Sequence, residues 1–260
     1  MAAWRDLVDA PEAVRSRLVR RIEDGRCPTV SPTVTLPKPG SDELRQLIWM
    51  DPFDELWIRI LVGRTIASID RKLDEAAEVF SYRPSSTTRG WQLIQHPEAH
   101  RSRRARGEEL LNRDACMGVG TLDVRNYYPS VDASNLAKAF ASTSAASGAS
   151  RLVCEFIDRL PTLGMPGGLP IGAEASGVLG NLMLVGVDAS LRSLVQAHIR
   201  YTDDSWVFLD SASAWLEVLP AYEVSTGEIG LAPNMLKSGF YAKEDGHADC
   251  LLYTSPSPRD

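Results

Sequence analysis

The stretch that decides the fold is IRYTDDSWVFL, residues 199–209, in which the adjacent carboxylates Asp203 and Asp204 interrupt an apolar, β-prone run. Short β-prone segments on either side of a polar pair predict a hairpin with the acids at its tip. An ordinary polar turn explains the same residues, since Asp and Ser are common in turns. A carboxylate among buried apolar neighbours, however, needs a cation or another partner, and a metal ion is the natural candidate.

A third carboxylate lies far upstream, in VGTLDVRNYYPSV, residues 119–131, where a strand-like segment ends at Asp123 and an aromatic turn follows. Strand-end acids from distant parts of a chain can converge on one pair of hard cations. Mg²⁺ prefers oxygen ligands and shares its shell with substrate phosphates, and two such ions about 3.5–4 Å apart stabilise both oxygens of a phosphoryl transfer. The three acids therefore predict a phosphoryl-transfer site of the polymerase type.

Four segments in order resemble the palm of a reverse transcriptase: DVRNYYPSV from Asp123, GLPIGAEASGVLGN from Gly168, RYTDD from Arg200 and GLAPNMLK from Gly230. Upstream, LPKPGSDELRQLI at residues 36–48 and VFSYRP at residues 79–84 resemble parts of the fingers. Each motif alone is weak, but their shared order over roughly residues 30–240 is specific. The resemblance implies an α+β fold, with right-hand polymerase fingers and a palm whose antiparallel sheet is backed by helices.

The resemblance also implies the ligands of the metal ions. Asp123 and Asp203 would be the main ligands of two Mg²⁺ ions, which Mn²⁺ could replace. Asp204 would lie beside them, and the carbonyl of Val124 would add an oxygen. Their task would be electrostatic, because in phosphoryl transfer the protein mostly positions groups and neutralises developing charge.

Three basic residues receive roles from the same resemblance. Lys38 and Arg45 in the fingers would contact the incoming triphosphate, and Lys237 would donate a proton near the pyrophosphate leaving group. The alternative for each of them is an ordinary solvated surface charge, which is the usual environment of Lys and Arg.

Tyr128 lies five positions after Asp123, where reverse transcriptases carry an aromatic ring that blocks the ribose 2′-hydroxyl. Viral RNA polymerases usually carry a second Asp there, which binds that hydroxyl. The ring therefore predicts a preference for deoxynucleoside triphosphates. Core packing is the alternative, and we expect it for one residue of the pair Tyr127-Tyr128.

The segment LGMPGGLPIG, residues 163–172 and here called the glycine loop, precedes an apolar helical pattern. Glycine lets the backbone approach a ligand closely, and the resemblance implies that Gly168, Ile171 and Gly172 underlie the template base and the nucleotide. A plain connection between helices is the alternative. Most retroviral and intron-encoded enzymes have Gln where this chain has Ile171. The loop is more similar to bacterial defence-associated and abortive-infection reverse transcriptases, some of which extend DNA without a conventional template.

The composition sets outer limits. A chain of 260 residues with 44% hydrophobic and 24% charged residues is typical of a globular protein with a large core or two lobes. No stretch approaches the roughly 18 apolar residues of a membrane helix, and the N-terminus lacks a signal-peptide core, so we expect a cytoplasmic protein without a membrane partner. Four scattered cysteines indicate neither a zinc site nor a disulfide framework.

The net charge of −6 argues mildly against nucleic-acid binding. Arginines are nevertheless concentrated in two places, residues 15–26 and residues 101–106. Such clusters can neutralise phosphates, although a run of charges is more often a solvated helix face.

Six segments are expected along the chain: a helical N-terminal extension (1–30), fingers (31–105), a first palm part (106–132), a helical insertion (133–165), a second palm part (166–249) and a non-native tail (250–260). The tail, CLLYTSPSPRD, is similar to a translated sequencing adapter. We therefore expect a natural protein that continues beyond residue 249, a thumb that is absent from this chain, and impaired activity.

The leading interpretation is an RNA-directed DNA polymerase, a nucleotidyltransferase that uses an RNA template, a DNA or RNA primer and deoxynucleoside triphosphates. Bacterial or phage defence is the expected setting, with a non-coding RNA or an accessory defence protein as a further partner. Three alternatives stay open: an RNA-dependent RNA polymerase, a template-independent DNA polymerase of the abortive-infection type, and a catalytically impaired relative that binds RNA.

Overall fold

The computed structural model describes residues 10–37, 44–85 and 92–245. Its centre is a five-stranded sheet of order β3-β5-β6-β4-β7. The strands are β3 (Glu78–Val79), β4 (Gly118–Leu122), β5 (Ala197–Tyr201), β6 (Asp204–Leu209) and β7 (Gly239–Ala242). Neighbouring strands are antiparallel, except that β3 runs parallel to β5. The expected antiparallel sheet is thus a mixed one, because a long crossover and not a hairpin joins these two strands.

A smaller sheet stands apart from the central one. It is an antiparallel pair of β1 (Thr33–Pro37) and β2 (Leu44–Ile48), in which Leu36 lies opposite Arg45. Most of its side chains are exposed. The residues that connect the two strands, 38–43, lie outside the described part of the chain.

Helices cover the central sheet. They are α1 (Pro11–Glu23), α2 (Pro52–Gly63), α3 (Ile66–Ala76), α4 (His96–Leu111), α5 (Tyr127–Ser130), α6 (Ala133–Ser142), α7 (Gly148–Thr162), α8 (Glu174–Leu191) and α9 (Ala212–Glu228), with a 3₁₀ turn at Lys243–Asp245. Helix α8 packs against α2, α3, α6 and α9. It is apolar on nearly every side, which requires a fully enclosed position.

The alternation of side chains along the strands builds two hydrophobic clusters, one on each face of the sheet. Leu122, Val207 and Leu209 face the large cluster around α8. Trp206 and Phe208 face a smaller cluster that includes the C-terminal end of α4. The sheet is therefore covered on both faces, and only the strand ends and connecting turns are left to carry polar chemistry.

Residues 52–79 form two helices and a short strand. Helix α2 ends at Gly63, α3 begins at Ile66, and strand β3 follows α3. At the break, the hydroxyl of Thr65 donates to the carbonyl of Val62 at 2.9 Å. A Thr side chain that bonds locally to the backbone competes with helix continuation, so the segment forms two helices instead of one.

Among the helices of the described residues, none is both long and apolar enough to cross a bilayer.

Candidate active site

Strands β5 and β6 form the hairpin that the sequence predicts. Tyr201 pairs with Asp204, so Thr202 and Asp203 make a two-residue turn. Thr202 has a φ of 53°, in the left-handed region that tight hairpin turns use. After Asp204 every residue of β6 is buried. The two acids therefore lie, half-buried, at the tip of a hairpin whose body is fixed in the core.

Strand β4 brings Asp123 to the same place. It pairs antiparallel with β6, with Leu122 opposite Ser205, so Asp123 follows β4 at the level where β6 begins. Burial and the negative charge of Asp123 raise the pKa of Asp203 from 3.8 to about 6. Two acids separated by 80 positions in the sequence thus lie close enough for one to oppose the ionisation of the other.

The segment before β7 holds Asp123. Asn234 donates from Nδ2 to Asp123 Oδ2 at 2.8 Å and from its backbone N–H to the Asp123 carbonyl at 2.8 Å. The Nζ of Lys237, half exposed, lies 3.6 Å from Asp123 Oδ2. The next residue, Val124, is buried and forms a β-bridge with Pro233. The sequence interpretation named Lys237 and missed Asn234, although an amide within the motif GLAPNMLK was an available signal.

Asp204 is bound by a residue that the sequence interpretation did not connect with it. Arg103 of α4 donates from Nη1 to Asp204 Oδ2 at 2.8 Å and from Nη2 to the Asp204 carbonyl at 3.1 Å. Its guanidinium lies over the ring of Trp206, with Cζ 3.7 Å from the ring centroid. Residues two apart in a strand face the same side, so Asp204 and Trp206 both face Arg103. The sequence placed Arg103 only within a basic cluster.

A buried polar network centred on Arg200 supports the turn. The guanidinium donates to both oxygens of Asp188 at 2.6–3.1 Å, to Asn181 Oδ1 at 2.9 Å and to the Thr202 carbonyl at 2.7 Å. The N–H of Thr202 donates to Ser81 Oγ at 2.7 Å. Arg200 and Asp188 are each about 1% exposed. The backbone of the turn is therefore held at both its N–H and its carbonyl.

The two tyrosines after Asp123 occupy different environments. Tyr127 is buried, and its hydroxyl donates to the carbonyl of Gly180. Tyr128 is half-buried and shares a hydrogen bond with Tyr82; burial, Tyr82 and the charge of Asp203 raise its pKa well above the usual range. The expectation that one of the pair belongs to the core is confirmed for Tyr127, and Tyr128 is the more exposed of the two.

The glycine loop packs directly against Tyr128. Gly168 has a φ of 82°, and a Cβ there would lie 2.3 Å from the Tyr128 carbonyl oxygen. Further along, the Ile171 carbonyl accepts from the N–H of Ile48 at 3.3 Å, and Gly172 has a φ of 111°. The loop thus joins the surface around Tyr128 to the end of β2. Glycine is required at position 168 by close backbone approach and positive φ, and at position 172 by positive φ.

The remaining basic residues divide into three groups. Arg45 is exposed on β2, and Lys38 lies outside the described residues. Several arginines of the two predicted clusters are used in pairs within the chain: Arg21 with Asp51 and Asp54, Arg106 with Glu78 and Glu109, and Arg103 with Asp204. For these the solvated-face interpretation was wrong, because each guanidinium is partly or fully buried against its partner.

Asp123 and Asp203 are the carboxylates available to a metal ion at the hairpin. Within residues 10–37, 44–85 and 92–245, no group of three or more His, Cys, Asp or Glu side chains is arranged to hold a metal ion. Mg²⁺ commonly takes only one or two carboxylates, completing its shell with water and substrate phosphates. Asp123 and Asp203 supply two, and the raised pKa of Asp203 marks an excess of negative charge that a cation would relieve. The donor set therefore fits Mg²⁺.

Comparison with known proteins bears on the fold. The sequence matches no family model and no curated protein. The structure is similar to apo telomerase from Candida tropicalis, with a TM-score of 0.56 and 10% identity, over 94% of this chain and 50% of the telomerase chain. The chain thus spans half the length of that telomerase chain. At this identity the match shows a common fold, and it confirms the α+β class; the division into fingers and palm stays a prediction.

Proposed function

We propose that the chain is the catalytic part of a reverse transcriptase, which adds deoxynucleotides to a primer by phosphoryl transfer on an RNA template. The observation that carries the proposal is the meeting of Asp123 and Asp203 at one end of the sheet, where the charge of the first raises the pKa of the second. The fold shared with telomerase, which is a reverse transcriptase, supports it. The order of the four palm-like motifs supports it independently.

In this proposal Asp123 and Asp203 bind two Mg²⁺ ions, with the Val124 carbonyl as a further oxygen and Mn²⁺ as a substitute. Bound Mg²⁺ would neutralise the charge that develops on the attacking and leaving oxygens. Asn234 contributes by orientation, because its amide fixes one oxygen of Asp123. A carboxylate held in advance needs no reorganisation during the reaction.

Lys237 is the proposed proton donor to the leaving pyrophosphate. Its Nζ is tethered near Asp123, 3.6 Å from Oδ2, yet half of the side chain is exposed. That position lets the ammonium reach a phosphate bound outside the carboxylates, and an ammonium carries the proton that the leaving group takes.

Nucleotide selection is assigned to the surface next to the carboxylates. Tyr128 would pack under the sugar and exclude a 2′-hydroxyl, since its side chain is half-buried and hydrogen-bonded to Tyr82, and its backbone carbonyl is held by the glycine loop. Gly168, Ile171 and Gly172 would underlie the nucleotide and the template base. Arg45, exposed on β2, and Lys38 would bind the triphosphate.

The biological setting is assigned on sequence grounds. The motif around Ile171 favours a bacterial or phage defence enzyme that works with a DNA or RNA primer and with a non-coding RNA or an accessory protein.

Single-nucleotide primer extension with the 260-residue chain tests the proposal. The informative variant is Asp203→Asn, and the matched control is Asp210→Asn, because Asp210 is exposed at the other end of β6. We expect Asp203→Asn to lower the rate on the order of 10²–10³-fold and to weaken Mn²⁺ binding measured by electron paramagnetic resonance. RNA binding, measured by fluorescence anisotropy, should not change in either variant.

The same assay separates the alternatives. Preferential use of ribonucleotides indicates an RNA polymerase, and extension without added template indicates a template-independent enzyme. If the unmodified chain binds RNA but neither extends the primer nor binds Mn²⁺, it is a non-catalytic relative. Equal rates for Asp203→Asn and Asp210→Asn contradict the proposed site.

A further inference from the structure

Helix α4 presents one polar face to the acid-bearing hairpin. His96, His100 and Arg103 are spaced so that they lie along the same side of the helix. His96 Nδ1 contacts the hydroxyl of Tyr201, and the ring of His100 stacks on Tyr201 with centroids 3.9 Å apart. Arg103 reaches further along the hairpin to Asp204. The helix therefore follows the hairpin from the last residue of β5 to the first of β6.

The contact of Arg103 is unusually specific for an arginine in a basic cluster. Its side chain is 3% exposed, and burial of a guanidinium is costly unless it is paired and hydrogen-bonded. It donates to the side-chain oxygen and to the main-chain carbonyl of Asp204, and its Cζ lies 3.7 Å from the centroid of the Trp206 ring. Among the described residues its Nε has no hydrogen-bond partner. The bonds of Arg103 are thus directed to one end of the hairpin turn.

Fixing Asp204 also fixes its neighbour. Asp203 and Asp204 are adjacent, and Asp204 begins β6 opposite Tyr201. A guanidinium that holds both the carboxylate and the carbonyl of Asp204 sets the orientation of the peptide at the start of the strand. Arg200 holds the other end of the turn through the Thr202 carbonyl. Asp203 lies between these two held positions, close enough to Asp123 for that charge to raise its pKa.

We infer that Arg103 is a positioning residue of the proposed active site, which acts through Asp204 to orient Asp203 for divalent-cation binding. In this role Asp204 is the anchor of the hairpin and not itself a main ligand of the cation. The inference rests on the proposed function and adds to it a residue outside the palm-like motifs.

Mn²⁺ affinity, measured by electron paramagnetic resonance, and single-nucleotide extension test the inference together. The variants are Arg103→Met, Arg103→Lys, Asp204→Asn and the double variant Arg103→Met/Asp204→Asn. Arg101→Met is the control, since Arg101 is exposed on the same helix. Urea denaturation gives the folded fraction of each variant, by which both readouts are corrected.

We expect Arg103→Met to weaken Mn²⁺ binding on the order of tenfold, the usual effect of losing a residue that orients a metal ligand. The rate at saturating nucleotide should fall by a similar factor, while KM for the nucleotide changes less than about twofold. Arg103→Lys should recover part of the affinity, because it keeps the charge without the two-pronged bond. The double variant should be no worse than the worse single variant, since both remove one contact.

Three results overturn the inference. In the first, Arg103→Met loses stability while the corrected Mn²⁺ affinity stays unchanged, which makes Arg103 structural. In the second, Asp204→Asn weakens Mn²⁺ binding far more than Arg103→Met and the two effects add, which makes Asp204 a direct ligand. In the third, Asp203→Asn binds Mn²⁺ as well as the unmodified chain does; that result refutes the proposed function, and the inference fails with it. If Arg103→Met does not fold, Arg103→Lys and Asp204→Asn decide between the first two.

Discussion

Replacement of Arg200 by Met removes the cation at the centre of the buried network. The loss of stability that we expect comes from the buried groups that lose their partner. Asp188 would keep a buried charge whose nearest remaining basic group is His198, with Nε2 3.8 Å from Oδ1. Burial lowers the pKa of His198 to about 4, so the imidazole is neutral at pH 7. Breaking a buried ion pair in this way costs about 3–5 kcal/mol.

The free energy of unfolding from urea denaturation measures this cost, and two further variants identify its source. Arg200→Met/Asp188→Leu removes both charges and should lose only about 1–2 kcal/mol, because the carbonyl of Thr202 and the amide of Asn181 still lose a hydrogen bond. The control, Arg151→Met, breaks an exposed pair with Glu155 and should change stability by less than about 0.5 kcal/mol.

Activity then separates stability from the position of the turn. The double variant regains most of the stability but not the bond from Arg200 to the Thr202 carbonyl, so we expect the rate of nucleotide addition to stay on the order of tenfold below that of the unmodified chain. The reasoning is refuted if the double variant regains full activity together with stability, or if Arg200→Met is as mild as Arg151→Met.

Three other changes test separate parts of the structure. Tyr128→Ala should raise the ratio of kcat/KM for ribonucleotides over deoxynucleotides by about tenfold or more, whereas Tyr127→Phe, in the core, should leave that ratio unchanged in the same extension assay. Gly168→Ala should cost at least about 2 kcal/mol in urea denaturation, because it adds a Cβ at positive φ against the Tyr128 carbonyl; Gly167→Ala, whose Cβ would be 3.5 Å from its nearest neighbour, should be close to neutral. Finally, the folded chain binds fewer protons at His198 than the unfolded chain, so His198 should lower the stability by about 3 kcal/mol as the pH drops from 6.5 to about 4. The raised pKa of Asp203 acts in the opposite direction over this range, so the contribution of His198 is the difference between the profiles of the unmodified chain and of His198→Phe; identical profiles contradict the assignment.

The hairpin and its acids could be predicted because their signals are local. Two β-prone segments around Asp203 and Asp204 determine a turn whatever packs against it, and the strand that ends at Asp123 has the same kind of signal. The glycines of the loop indicated a close approach to a ligand, which stays a prediction; in the structure Gly168 lies against the Tyr128 carbonyl. In each case the residue type itself constrains the backbone.

Partners from distant segments could not be predicted in this way. The basic run around Arg103 is typical of a solvated helix face, and buried arginines are rare enough that composition argues against one. Only the packing of α4 across the hairpin brings Arg103 to Asp204. Asn234 is a similar case: its motif marks the segment, but only the folded structure shows that its amide meets the carboxylate of Asp123.

The distribution of charge around the hairpin is compatible with nucleic-acid binding, although the chain is acidic overall. Three carboxylates at and beneath the hairpin have cationic partners: Asp204 with Arg103, Asp123 with Lys237, and Asp188 with Arg200. Among the described residues, Asp203 forms no such ion pair, and its pKa is the one that is raised. The unbalanced negative charge is therefore concentrated at a single side chain beside Asp123, where a divalent cation gains most. In the proposed function a bound divalent cation would offset this local charge and meet the phosphates, so the net charge of −6 does not by itself argue against nucleic-acid binding.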